Sequence, residues 1–406
     1  MSDFYQTGII TTLHRLGRPS LERIEGELLQ FSRTRPVALV LPALYSEFEG
    51  LAMPRIVEEL AKVKYLCEIV LVLDKASEKE FQRVRQFMEP VPGTVRIIHN
   101  DGKRIMEIYD TFKRNGLAVG ERGKGRSAWL AYGYIIAGGK CDVIALHDCD
   151  IVNYSREMLA RLCYPVANPT LDYVFCKGYY SRVTNRMHGR VTRLLVTPLI
   201  RSLLNLLGDL GFLRFIDSFR YPLAGEFAMN TDMARVNRIP WDWGLEVGSL
   251  AEVYRNYSPR RVCQVDIADR YDHKHQALSP EDPTKGLHRM AADIAKHLLR
   301  TLAAADTVLG DGSLKSLLAS YQRRAEDAAN SFYALAKFNG LTFPRHEEEM
   351  AIATFAGALK SGVEQFLADP LGAPLIPNWA RVLSAVPEAG DLLLEAVVTE
   401  GGILNG

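Results

Sequence analysis

The sequence predicts an α/β fold: a Rossmann-like, mainly parallel sheet with helices on both faces, followed by a helical C-terminal extension. Three observations carry this. Short β-branched apolar runs alternate with amphipathic, helix-length segments over the first two thirds of the chain. The residues that follow those runs are polar and chemically useful. From about residue 280 the apolar period is helical throughout.

Taken in order, "VALVLPA" (37–43), "EIVLVLD" (68–74), "TVRIIHN" (94–100), "DVIALHD" (142–148) and "DYVFCKG" (172–178) read as strands, bounded by polar or turn residues. Between them, "MPRIVEELAKVK" (53–64), "EKEFQRVRQFM" (78–88) and "GRSAWLAYGYIIAGG" (125–139) repeat apolar residues at three and four, the spacing of one helix face. Ligands of such sheets bind beyond the carboxyl ends of the strands, where strand order reverses. Those ends here carry "PALYSE", "DKAS", "HNDG" and "HDCD". The apolar stretch "LLVTPLIRSLLNLLGDLGFLRF" (194–215) contains Arg201, Asp209 and Arg214, too many charges for a membrane span of about 20 residues, so it reads as one amphipathic helix lying on the protein. The segments "GLHRMAADIAKHLLRTLAAA", "SLKSLLASYQRRAEDAANSFYALAKF" and "EEEMAIATFAGALKSGVEQFLA" make the tail a helical appendage. The expected division is a catalytic domain over 1–280, with a nucleotide half near 37–150 and an acceptor half near 151–280, and a helical extension over 281–406. The tail's apolar stripes allow either a homodimer interface or a cover over the site, and a homodimer is the expected state.

With 406 residues, 48% of them hydrophobic, the chain can bury a sizeable core without metals or disulfides. A formal net charge of +1 gives no field that would gather nucleic acid or an acidic membrane, so any anion must be gripped locally. Six cysteines lack C-x-x-C spacing and sit mostly in apolar runs, which reads as reduced thiols and a cytoplasmic protein. The N-terminus places an acid and a His-Arg pair where a signal peptide needs apolar residues.

Four constellations carry chemistry. Asp148 and Asp150, flanking Cys149 after a strand, can bring two hard oxygen ligands onto one Mg²⁺ or Mn²⁺; the plain alternative is a solvated turn with an aspartate capping the next helix. Lys124 between Gly123 and Gly125, just before a helix, can offer a charge to a phosphate that the backbone approaches closely. His273 and His275 share a side of an extended segment and either could complete a cation site. Gly189, Arg190 and Thr192 open a long helix and suit a small phosphate or carboxylate, although a helix start with a Thr cap explains them nearly as well. "YPLAGEFAMN" (221–230) and "WDWGLEVGSLAEVYR" (241–255) combine aromatics with acids, which suits a sugar or a core helix with a buried glutamate.

The order of these pieces, L-P-A-L, G-K-G, D-x-D, G-R-V-T, P-L-A-G-E, G-L-E-V-G and H-x-H-Q, resembles the retaining GT-A glycosyltransferases of the glucosyl- and mannosyl-3-phosphoglycerate synthase group, from about Val37 to Leu278. The resemblance implies a GT-A fold and a donor site of Pro42, Ala43, Leu44, Glu47, Ser77, Lys124, Asp148, Cys149, Asp150, Gly244 and Glu246. It implies a metal, Mg²⁺ or Mn²⁺, on Asp150 and His273 assisted by Asp148, and an acceptor site of Gly189, Arg190, Thr192 and His275. Asp150, Glu246 and Lys124 are the implied catalytic residues, with Glu246 on the sugar hydroxyls. The implied reaction moves a hexose, glucose first, from a nucleoside diphosphate sugar to 3-phosphoglycerate or glycerate during compatible-solute synthesis. A mannosyl donor, a sugar nucleotidyltransferase and a non-catalytic sugar-nucleotide-binding protein remain the alternatives, although the nucleotidyltransferase would need a glycine-rich Arg-Lys loop after the first strand, where "LPALYSEFEG" stands.

Overall fold

The computed structural model describes residues 6, 8–17, 20–273, 278–279, 281–282 and 284–404. One nine-stranded sheet organises them. Its strands are β1 (Thr11–Leu13), β2 (Val37–Leu44), β3 (Leu66–Asp74), β4 (Thr94–His99), β5 (Val143–Leu146), β6 (Phe175–Tyr180), β7 (Phe227–Asn230), β8 (Val262–Ala268) and β9 (Ile403–Leu404), in the spatial order β1-β8-β6-β7-β5-β2-β3-β4-β9. All neighbours are parallel except β7, antiparallel to β5 and β6, and β9, antiparallel to β4. The predicted runs all fall on strands. β1, β7, β8 and β9 add to them.

This topology puts the carboxyl ends of β2, β3, β5, β6 and β8 along one edge. Strand order reverses between β2 and β5, which run parallel in register from Val37 with Val143 to Val40 with Leu146. β7 enters from the same edge, because it runs the other way, so the residues just before it join the loops that follow its neighbours.

Two apolar layers cover the sheet. Under one face lie Phe81, Met53 and Leu159 from helices Glu78–Met88, Ala52–Leu60 and Arg156–Ala167. On the other, Trp129 and Ile135 of helix Lys124–Gly138 pack in the same core as Leu298, Phe355 and Trp379 from beyond residue 280. Trp129 and Trp379 stack with centroids 4.6 Å apart. Each indole is also tied by its N–H: Trp129 Nε1 donates to Pro377 O at 2.7 Å and Trp379 Nε1 to Trp129 O at 2.8 Å. The region after residue 280 forms helices Gly286–Ala304, Asp311–Phe338, Arg345–Ala368, Trp379–Ala385 and Ala389–Thr399, and then returns to the sheet as β9.

The single helix expected over 194–215 is divided. Its first residues belong to a π-helical turn, Val191–Val196, continued by Thr197–Leu207, and a second helix, Gly211–Asp217, follows. Gly208 adopts φ +80°, a left-handed conformation that ends the first helix at little cost only without a Cβ. Among the described residues no helix is long and apolar enough to cross a membrane.

Candidate active site

The loops at the carboxyl edge surround a cleft of about 1090 Å³, at the upper end of the range for small-molecule sites. Pro42, Ala43 and Leu44 from the end of β2 line one end, with Asp74 at the end of β3 and Lys75 just after it. Lys124, Asp148, Cys149, Asp150, Glu246 and His273 lie at the centre, and Gly189, Arg190 and Tyr221 at the other end.

At the centre, Lys124 Nζ stands 2.6 Å from Asp148 Oδ1 and 3.4 Å from Glu246 Oε1. Burial disfavours the ammonium, but the two carboxylates outweigh it and hold Lys124 protonated, well above the ordinary lysine range. Burial likewise raises Asp148, and the facing Lys124 charge reverses this, leaving its carboxyl below the usual range. Gly225 makes the meeting sterically possible: a Cβ there would overlap Asp148 Oδ2 and come within 2.7 Å of Lys124 Nζ. Gly123 and Lys124 of the G-K-G loop line the cleft, while Gly125 faces protein. Gly125 lets the Pro240 carbonyl and Trp241 Cα close on the start of the helix, so the glycine brings in the protein segment that leads to Glu246 rather than leaving the backbone open to a ligand.

Asp148 and Asp150 follow β5 in a turn that sends Cys149 into the core and leaves both carboxylates in the cleft. Burial first, and then the flanking aspartates, push the Cys149 thiol far up, and its side chain packs as a small apolar group in the core. Neither aspartate caps the next helix, whose N-cap is Ser155. His147, behind them, is fully buried, and that burial lowers it to about 4, so it is neutral.

His273 reaches Asp150 because its segment is laid against the turn: Val152 N donates to Asp272 O at 2.9 Å, Asn153 Nδ2 to Arg270 O at 2.8 Å, and Ile151 bridges antiparallel to His273. His273 Nδ1 then lies 3.3 Å from Asp150 Oδ2, while Asp150 Oδ1 is buried with no hydrogen-bond partner. A buried, unmatched carboxylate oxygen beside an imidazole suits Mg²⁺ or Mn²⁺. Among the described residues no cluster of three or more His, Cys, Asp or Glu side chains is placed to hold a metal, so a cation here would draw most of its ligands from a bound molecule. His275 lies outside the described residues.

One buried acid escaped the sequence reading. Glu226, fully buried, accepts from Tyr180 Oη at 2.8 Å and Tyr271 Oη at 2.5 Å. The two phenol rings stack with centroids 3.7 Å apart. Burial, then the nearby Asp148 charge, raises Glu226 above the usual carboxylate range. It pins Tyr271, and so the segment carrying His273, to the start of β7. The signal was available in P-L-A-G-E, where a charge stands inside an otherwise apolar run and must have buried partners.

At the far end, Arg190 lies beside Gly189 on the cleft wall, with Arg182, Arg186 and Tyr221 close by. Arg190 Nε donates to Glu348 and its Nη2 to Glu347, both on helix Arg345–Ala368. Thr192 is buried within the π-helical turn, its hydroxyl without a hydrogen-bond partner, and caps no helix. Three predicted residues stand slightly apart from the lining: Thr192; Ser77, which caps helix Glu78–Met88 in a reciprocal pair with Glu80; and Gly244, which packs on His297. His297 Nε2 lies 2.8 Å from Asp242 Oδ1, and the Gly244 N–H donates to the same oxygen at 2.9 Å, fixing the loop before Glu246. Glu47 is brought to the cleft by a short 3₁₀ turn, Tyr45–Glu49.

No family model matches the chain. It is 49% identical over 397 residues to the glucosyl-3-phosphoglycerate synthase of Persephonella marina, covering 98% of each chain. It is 37% identical over 406 residues to the enzyme of that name from Methanococcoides burtonii, again covering 98% of both. Among solved structures, glucosyl-3-phosphoglycerate synthase from Mycobacterium tuberculosis in complex with Mg²⁺ and uridine diphosphate matches with a TM-score of 0.53 at 19% identity, over 74% of this chain and 89% of that one. The same protein in complex with Mn²⁺, UDP-glucose and phosphoglyceric acid matches with a TM-score of 0.54 at 19% identity, over 74% and 90%. At that identity the likeness speaks for the fold, a GT-A glycosyltransferase sheet. The full-length identity to the first two relatives goes further: the chain belongs to the glucosyl-3-phosphoglycerate synthase family.

Proposed function

We propose that the protein transfers glucose from a nucleoside diphosphate glucose to the hydroxyl of 3-phospho-D-glycerate, with retention at the anomeric carbon, as a cytoplasmic step toward a compatible solute. The observation that carries this reading is a single cleft whose centre holds Lys124, Asp148, Asp150, Glu246 and His273 and whose one end holds Arg190. The family's activity and the ligands of the mycobacterial complexes agree with it. Six cysteines without a disulfide support a reducing compartment.

Asp150 and His273, with Asp148 beside them, would hold Mg²⁺ or Mn²⁺. When bound, the cation supplies charge neutralisation for a diphosphate. The chain's own groups do the rest. Lys124, kept protonated by its two carboxylates, faces the bond to be broken and steadies the negative charge that grows on the departing phosphate. Glu246, 12% exposed at its side chain, offers acceptor oxygens to sugar hydroxyls next to Lys124. Pro42, Ala43 and Leu44 bound the donor end, where Glu47 also points. Arg190, on the cleft wall beside Gly189, grips the acceptor anion so that its hydroxyl lies beside the sugar, replacing a chance encounter by orientation. The acceptor proton passes to an oxygen of the leaving phosphate on the same face of the sugar, and retention follows.

The test is direct. Incubation with UDP-, GDP- or ADP-glucose, Mg²⁺ and 3-phosphoglycerate should give a phosphorylated glucoside with an α-anomeric proton signal. Absence of product from every pairing, glycerate and GDP-mannose included, would remove the transferase reading.

A further inference from the structure

Helix Arg345–Ala368 reaches the acceptor end of the cleft from more than 150 positions away in the chain, and its first turn supplies two adjacent acids of different character. Glu348 is 2% exposed and divides itself between two guanidiniums: Oε1 accepts from Arg190 Nε at 2.7 Å and Oε2 from Arg193 Nη1 at 2.9 Å. Arg193 is held on its other sides by the His188 carbonyl at 2.8 Å and by the Phe332 ring, 4.8 Å from the centroid. Glu347 is half exposed. Its Oε2 accepts from Arg190 Nη2 at 2.6 Å and lies 3.5 Å from Arg186 Nη1.

We propose that Glu348 is a positioning residue that aims Arg190 at the acceptor, and that Glu347 is an exchangeable internal carboxylate which the acceptor's anionic group displaces from the same arginine. The inference rests on the acceptor role proposed for Arg190 above.

The two acids separate on physical grounds. Removing a buried carboxylate from two guanidiniums strands charge in a poor solvent, so Glu348 stays. A half-exposed pair such as Glu347 with Arg190 is worth little, since water solvates either partner when they part. An incoming phosphate brings more charge and three acceptor oxygens to the same nitrogen, with Arg186 3.5 Å from the carboxylate it replaces, and it therefore wins. Arg190 is thus kept folded, charged and correctly aimed before the acceptor arrives, at the cost of a competitor that weakens acceptor binding.

Titration calorimetry with inorganic phosphate and with 3-phosphoglycerate, on the full chain, tests this without turnover. Glu347→Gln should tighten both ligands about three- to tenfold, as removing one competing charged hydrogen bond predicts, and should lower the acceptor KM to match while the donor KM stays within twofold. Glu348→Gln should weaken both ligands tenfold or more, and Glu348→Asp, which keeps the charge on a shorter arm, should fall between. Unchanged or weaker phosphate binding in Glu347→Gln overturns the exchange, and wild-type affinity in either Glu348 variant overturns the positioning. If Glu348→Gln does not melt as a folded protein, Glu348→Asp carries that arm. A wild-type protein that binds phosphate but forms no glucoside would instead count against the proposed function, so the two failures are separable.

Discussion

Lys124 Nζ and Asp148 Oδ1 meet 2.6 Å apart in space that any side chain at position 225 would occupy. The centre of the cleft is therefore shaped by an absent atom as much as by the charged groups present. Gly225→Ala should lower kcat/KM about 100-fold, the scale expected when reacting groups are displaced by an ångström, while the melting temperature moves only a few degrees. A variant with near-normal turnover would show that the pair can shift without consequence.

Metal dependence should centre on Asp150. Chelation should abolish turnover, and Asp150→Ala should leave a folded protein whose activity no concentration of Mg²⁺ or Mn²⁺ restores. Restoration at modest Mn²⁺ would instead move the cation to Asp148. The aspartate lies at the end of an apolar strand that the sequence displayed plainly, which is why this part of the site was legible.

His297 acts at a distance. By holding Asp242, which also accepts the Gly244 N–H, it sets the loop that leads into Glu246. His297→Ala should raise the donor KM about tenfold, as loss of an outer hydrogen-bonding partner commonly does, with a smaller change in acceptor KM. Equal changes in both would show general loosening instead.

Lys177, which lies near Glu246 and Glu226, gives a pH test on a buried amine that lines no part of the cleft. It is buried beneath the P-L-A-G-E turn, donates to Ala224 O at 2.7 Å, and burial lowers it to about 8. Its folded value lies below its unfolded one, so the unfolded chain binds more protons between about pH 8 and pH 10.5, and this residue's contribution to stability rises with pH across that window. The stability of wild type relative to Lys177→Met should increase by roughly 1–3 kcal/mol from pH 8 to pH 10. Chemical denaturation at each pH measures it, and a flat difference would mean that the lysine keeps an ordinary value.

The paired indoles fasten the C-terminal region to the sheet domain. Trp379→Ala leaves a cavity against Trp129 and removes a hydrogen bond, and should cost about 3–5 kcal/mol. A loss under about 1 kcal/mol would be incompatible with the packing of Trp379 at the centre of a shared core.

What the sequence disclosed follows a physical divide. β2 to β5 and the residues at their ends were readable because a buried parallel strand is an uninterrupted apolar run. β7, "FAMN", is four residues with no β-branched side chain, and β9 is two, so neither gives a periodic signal. Lys124, Asp148, Asp150 and His273 were singled out by type and spacing and Glu246 by the family resemblance, and the fold gathers them. Glu226 and Glu348 were not, because each acts on a residue far away in sequence: Glu348 lies 158 positions from Arg190 and looks like any acid in the first turn of a helix. The chance of reading such a pair from one chain is small, since local periodicity carries no information about which distant groups will face each other.

β9 is brief, yet it covers the outer margin of the sheet. Val95 and Arg96 pair with Leu404 and Ile403, and Ile97 N donates to Gly402 O at 2.7 Å, so three residues close the outer margin of β4. Without them β4 would present a straight row of unpaired amides and carbonyls, the surface on which strands of separate molecules join. Loss of residues 402–404 would therefore leave the cleft's residues intact and make the protein prone to self-association, a defect of solubility with its origin far from any catalytic group.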